Sequence, residues 1–324
     1  MKRVKKRALA LEIISGILFL ISGFFLLTGT VIPTIIDPRL LISLLLILSG
    51  SVIVVCSIYG VRIGSAIILV ISLCIFTLIL FSPSLYSYIG KHYEATYSLS
   101  ISDINTSINK LIILAKSSTG GIYIDFIDNE TLLYRVKFRG WFFFIFNLTK
   151  PSIEYEVSDH TLYLVIDSKM ISANILLPKK YILELSIESS TGAVKISGSD
   201  INISKLNIDA STGRINIDIE KSNVDALEAR TSTGKISVKL IDIEPVTRPG
   251  EIILSTSTGS IDMELKNVEG IDLRATTSMG KIDVKAPEKY YVDIGRGMAI
   301  VKSEPITYII TLSTSTGKIS VDVE

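Results

Sequence analysis

At 324 residues and a net charge of +1, the chain is long enough for two domains and has no global bias toward nucleic acid. A mean hydropathy of +0.48 excludes an ordinary soluble globule along the whole length. The apolar residues are concentrated: residues 8–85 are almost uncharged, whereas residues 86–324 alternate apolar with charged side chains.

The N-terminal part, 1–85, reads as a three-helix transmembrane anchor. Its apolar runs at about 8–31, 40–59 and 64–81 approach the roughly 20 helical residues that a bilayer requires. Lys2, Arg3, Lys5, Lys6 and Arg7 precede the first run, and Arg62 lies between the second and third. Basic residues stay on the cytoplasmic side, so the expectation is a multi-pass cell-membrane protein in contact with the lipid bilayer. Its N-terminus is then cytoplasmic and its C-terminal domain extracellular. The first run is longer than a signal-peptide core and ends on no small-residue cleavage site. Cys56 and Cys74 both fall in these runs, where thiols act as small packing groups. Gln is absent and Ile, Lys and Glu are abundant, which leans toward a thermophilic, archaeal source.

Residues 86–182 have an irregular strand pattern. The run Trp141-Phe142-Phe143-Phe144-Ile145-Phe146 fits either a strand buried on both faces or an aromatic belt against a surface. Sequons place possible glycosylation at Asn105, Asn129, Asn147 and Asn202, in keeping with an external domain.

Residues 183–324 repeat. A Ser-x-Gly triplet ends at Gly120, Gly192, Gly213, Gly234, Gly259, Gly280 and Gly317, and from Gly192 onward the intervals are 21, 21, 25, 21 and 37 residues. Aliphatic residues recur seven and five before each glycine and two and four after it, as in Leu206, Ile208, Ile215 and Ile217 around Gly213. That is the period of strands with one face buried. Glycine accepts positive φ, and Ser190, Ser211, Ser232, Ser257, Ser278 and Ser315 offer hydroxyls to the turn. The expected domain is all-β: a β-solenoid, or parallel β-helix-like stack, of about 21-residue rungs. In such a stack the serines form a column.

Segments such as Ala229-Arg230-Thr231-Ser232-Thr233-Gly234-Lys235-Ile236-Ser237-Val238 carry a resemblance. Over about 95–324 the chain resembles the "putative adhesin" family of β-strand-repeat domains, found in bacteria and archaea. The resemblance implies a parallel β-helix-like domain, often following transmembrane helices, and supplies no catalytic residues.

Nothing else in the sequence calls for chemistry. His92 and His160 stand alone, no phosphate loop or nucleophile elbow is present, and neither cofactor nor metal is expected. Asp262 and Asp283 hold the same rung position, three after a glycine, so sequential stacking would make them neighbours. The leading expectation is a non-enzymatic, adhesin-like surface protein or envelope scaffold whose partner is another envelope protein or a surface glycan. One alternative is an accessory subunit of an envelope-stress or transport complex. The other is a glycan-acting β-helix enzyme built on Asp262 and Asp283.

Overall fold

The structure, a computed structural model, describes residues 91–104, 106–142 and 150–324. Lys91–Ser100 (β1) is followed by a 3-10 turn at Ile101–Asp103, then by Lys110–Ser117 (β2), Ile122–Ile127 (β3), Leu132–Phe142 (β4) and Ser152–Ser158 (β5). Next come Thr161–Asp167 (β6), Ser172–Pro178 (β7), Ile182–Thr191 (β8), Val194–Ser199 (β9) and Asn202–Glu220 (β10). The chain continues through Asn223–Val224 (β11), Ala226–Ile241 (β12), Gly250–Lys266 (β13) and Ile271–Lys285 (β14). It ends with Tyr291–Gly295 (β15), Met298–Lys302 (β16) and Tyr308–Val323 (β17).

Alternation of β-branched and polar residues explains these strands. In β12, Leu227, Ala229, Ile236, Val238 and Leu240 are buried, while Arg230 between them is exposed. Each repeat unit is a rung of two legs that meet at its glycine. Equivalent rungs pair parallel and in register, so identical positions stack: Leu206 on Leu227, Ile215 on Ile236, Gly213 on Gly234. The next ladder continues the columns, with Leu227 on Ile252 and Ile236 on Ile261. The buried aliphatics of both legs form one cluster from Leu99 to Val323. Each such side chain contributes about 1.5–3 kcal/mol by leaving water.

The rungs do not stack in chain order. Pairing gives the succession β6/β7, β2/β3, β8/β9, β10, β12, β13, β17, β14. Both ends are therefore transposed. The rung 161–178 lies outside the Gly120 rung, and the C-terminal β17 enters between β13 and β14. Antiparallel strands occupy the long intervals. β5 pairs with β6, β4 with β7, and the β15–β16 hairpin with the first leg of β14. The 37-residue interval is thus a capping hairpin plus a return. The 25-residue interval has its own cause. A Cβ on Gly250 would meet both Pro245 and the ring of Tyr308, which is fully buried and donates its hydroxyl to the Val224 carbonyl at 2.8 Å.

The expected transmembrane anchor is corrected by this fold. No helix among the described residues is long and apolar enough to cross a membrane, and the 3-10 turn Ile101–Asp103 is the helical element they contain. The physical reason is the period-2 pattern: a polar residue at every second position of the rungs precludes a continuous apolar helix. The spans at 8–31, 40–59 and 64–81 lie outside the described residues. The three-helix anchor is therefore not supported. Neither is the multi-pass membrane localisation, with cytoplasmic N-terminus and extracellular C-terminal domain, that rested on it.

Candidate functional site

The corner glycines set the geometry. Gly234 has φ +150°, in a region that favours glycine, and a Cβ there would fall on the carbonyl oxygen of Gly213. The same contact links Gly213 to Gly192, Gly259 to Gly234, Gly317 to Gly259 and Gly280 to Gly317. The column thus repeats the transposed order of the rungs. Gly120 meets the backbone of Ile171 instead, because the neighbouring rung turns at Ser168-Lys169-Met170, with Lys169 at φ +55°.

Two hydroxyl columns flank the glycines. Ser190, Ser211, Ser232, Ser257, Ser278 and Ser315, two residues before the glycine, are exposed, as is Ser118. The residues three before it turn inward: Ser117, Ser189, Thr231, Thr256 and Thr314 are buried, and Ala210 and the half-buried Thr277 take the same place. Ser117 donates to the Gly120 carbonyl at 2.8 Å, whereas Ser189, Thr256, Thr277 and Thr314 have no protein partner for the hydroxyl. The inner column was readable three places before each glycine.

Where Ser118, Ser190 and Ser211 stack, they line a polar groove of about 490 Å³ with Glu188, Asn207 and Asp209. Lys116 and Glu188 form an ion pair across neighbouring rungs at 2.9 Å, and Lys169 pairs with Asp167 at the groove's margin. Round the corner, on the outer face of the second leg, Tyr123, Lys195, Arg214 and Lys235 line a second depression of about 320 Å³. Donors and acceptors thus recur at the strand spacing of roughly 4.8 Å.

Asp262 and Asp283 are not neighbours. Ser320 of the intervening β17 pairs with each, which sets the two positions about 9–10 Å apart at the usual strand spacing. Asp262 is ion-paired with Lys235. Asp283 takes Lys281 at 2.6 Å and Lys318 at 2.9 Å. The hydrogen bond from Lys281, then that from Lys318, holds its carboxyl below the ordinary value, which favours an anion over a proton donor. His160 is exposed on the Asp159-His160 turn between β5 and β6, both residues at positive φ, and its Nδ1 lies 2.8 Å from the Ser107 carbonyl oxygen. Among the described residues no group of three His, Cys, Asp or Glu side chains is placed to hold a metal ion.

Of the sequons, Asn129 accepts hydrogen bonds from the Thr131 and Leu132 amides, each at 2.9 Å. Asn202 begins β10, and Asn105 and Asn147 lie outside the described residues. So does 143–149, most of the aromatic run.

No curated protein matches the chain. Two solved structures do. One is titled a "putative cell adhesion protein" from Clostridium sporogenes, with 17% identity, TM-score 0.43, and coverage of 72% of this chain and 100% of the other. The second is titled a "putative adhesin" from Bacteroides fragilis, with 14% identity, TM-score 0.27, and coverage of 72% and 97%. Neither supports the thermophilic, archaeal source expected from composition. Residues 138–241 match the family model described as the N-terminal domain of toast_rack, DUF2154. By sequence, the chain is thus similar over residues 138–241 to the N-terminal domain of toast_rack.

Proposed function

We propose that the described domain is a non-enzymatic, adhesin-like binding scaffold whose corner groove takes an extended, hydroxyl-rich polymer such as a glycan. One observation carries this reading. In-register stacking turns a serine that is unremarkable in one rung into a ladder of exposed hydroxyls, continued by Asn207, Asp209 and Glu188 in the groove. A polymer with regularly spaced hydroxyls meets a donor or acceptor at each rung, and many weak contacts on a rigid surface sum to useful affinity. Separation of Asp262 from Asp283, and the lysines held against both, favour binding over hydrolysis.

The test is saturation-transfer NMR of the chain against a panel of soluble neutral and acidic oligosaccharides. Ser211→Tyr fills the groove from an exposed position and leaves the core untouched. Saturable transfer that Ser211→Tyr abolishes is the expected result. Absence of transfer from every oligosaccharide, or transfer indifferent to Ser211→Tyr, would overturn the reading.

A further inference from the structure

Both ends of the stack finish on a transposed rung, yet they are closed differently. At one end β5 covers β6 and β4 covers β7, so both legs of the terminal rung carry an antiparallel strand. At the other end β16 covers only the first leg of β14, pairing 298–302 with 272–276. The cover stops where the Thr277 amide donates to the Gly297 carbonyl at 2.9 Å. From Ser278 to Lys285, β14 pairs with β17 on one side, and no described strand pairs with the other.

The side chains register this opening. Positions two and four after the glycine are at most 2% exposed in Ile215, Ile217, Ile236, Val238, Ile261, Met263, Ile319 and Val321. Their counterparts Ile282 and Val284 are only half-buried. Met279 is 67% exposed, and the side chains of Lys281 and Lys285 are 76% and 82% exposed. A free edge of this kind is a template for another strand.

We infer that 278–285 is a self-association edge, on which a second copy of this chain lays its own 278–285 antiparallel about a two-fold axis through Ile282. Charge selects both the occupant and the register. Pairing about Ile282 sets Lys281 opposite Asp283 twice by symmetry, Ile282 opposite Ile282, and Val284 opposite Gly280. The apolar residues then extend the buried face and the charged residues stay outside. Pairing about Asp283 opposes Asp283 to itself and Lys281 to Lys285, which like charges forbid. Pairing about Val284 keeps only 283–285 of the strand. Pairing about Lys281 spans 278–284 but opposes Lys281 to itself, so the Ile282 register, which pairs 279–285 of each copy, is the one that charge favours, and it makes the contact isologous and closed.

Sedimentation velocity of the full-length chain over a concentration series tests this. The expected result is a monomer–dimer equilibrium. Lys281→Glu places like charges opposite each other at two symmetric contacts and raises the dimer Kd roughly a hundredfold. Ile282→Cys, in a background carrying Cys56→Ser and Cys74→Ser, is expected to give a disulfide-linked dimer on oxidation, whereas Lys205→Cys on an exposed face of β10 does not. A strand signal in circular dichroism that matches the parent chain confirms that each variant folds. A monomer at every soluble concentration overturns the inference. So does a dimer whose Kd is unchanged by Lys281→Glu and which Ile282→Cys fails to cross-link.

Discussion

Gly192, Gly213, Gly234, Gly259 and Gly317 are constrained from two sides, by positive φ and by the carbonyl oxygen of the neighbouring rung, whereas the serines beside them are exposed. Gly234→Ala forces an alanine to φ +150° and drives its Cβ into the Gly213 carbonyl oxygen. Backbone strain and overpacking together predict a loss of about 3–5 kcal/mol. Ser232→Ala, two residues away and exposed, changes stability by no more than about 0.5 kcal/mol. Chemical denaturation of the two variants measures the contrast, and equal losses would refute the stacked-carbonyl account. At this scale much was legible in the sequence. The glycine phase, and the aliphatic positions on either side of it, mark the residues that stack. The inner hydroxyl column was overlooked because Thr231 and Thr256 look as polar as their exposed neighbours. The parity of the aliphatics seven and five before the glycine decides which of two consecutive hydroxyls faces inward.

For the strands, what matters is how many neighbours each one has. β17 has a parallel partner along both sides for almost its full length, β13 on one and β14 on the other. The second leg of β14 has a partner on one side among the described residues. Amide protection follows local opening, so hydrogen exchange is expected to be fastest at 278–285 within the repeat strands and slowest in β13 and β17. Protection of 278–285 that rises with protein concentration belongs with self-association. Equal protection in β14 and β17 at high dilution would contradict the pairing scheme. The 161–178 rung was hidden in the sequence because it turns on Lys169 without glycine, so the triplet that announces the other rungs is absent. Asp262 and Asp283 were read as neighbours for a related reason: equal rung position says nothing about which rungs are adjacent.

On the scale of the whole molecule, rung order is the property that the repeat cannot encode. Every rung presents similar aliphatic columns in the same register, so any rung can in principle follow any other. The antiparallel strands β4 and β5 at one end and the hairpin β15–β16 at the other break this degeneracy by covering the terminal rungs. The transposition makes a strong claim about truncation. A chain ending at residue 306 lacks β17, the ladder that joins β13 to β14. If rungs stacked in chain order, it would lose one terminal layer and little else. In the observed order it loses two interfaces, and the 271–302 block is severed from the stack. Limited proteolysis of the truncated chain is therefore expected to remove residues from about 268 onward while sparing the rungs before β13. Resistance of 271–302 would show that β14 docks on β13 unaided.

The inserted strand also bears on biosynthesis. Rungs from β8/β9 to β13 can be laid down as they leave the ribosome, each on its predecessor. β14 cannot, since its place on β13 is reserved for residues made later. Its side chains must wait until residue 323 has been translated, and only then can the last two rungs lock together. Arrival of β17, rather than of each repeat in turn, becomes the signal that finishes the domain, and a chain terminated before β17 exposes unfinished strands to quality-control proteases.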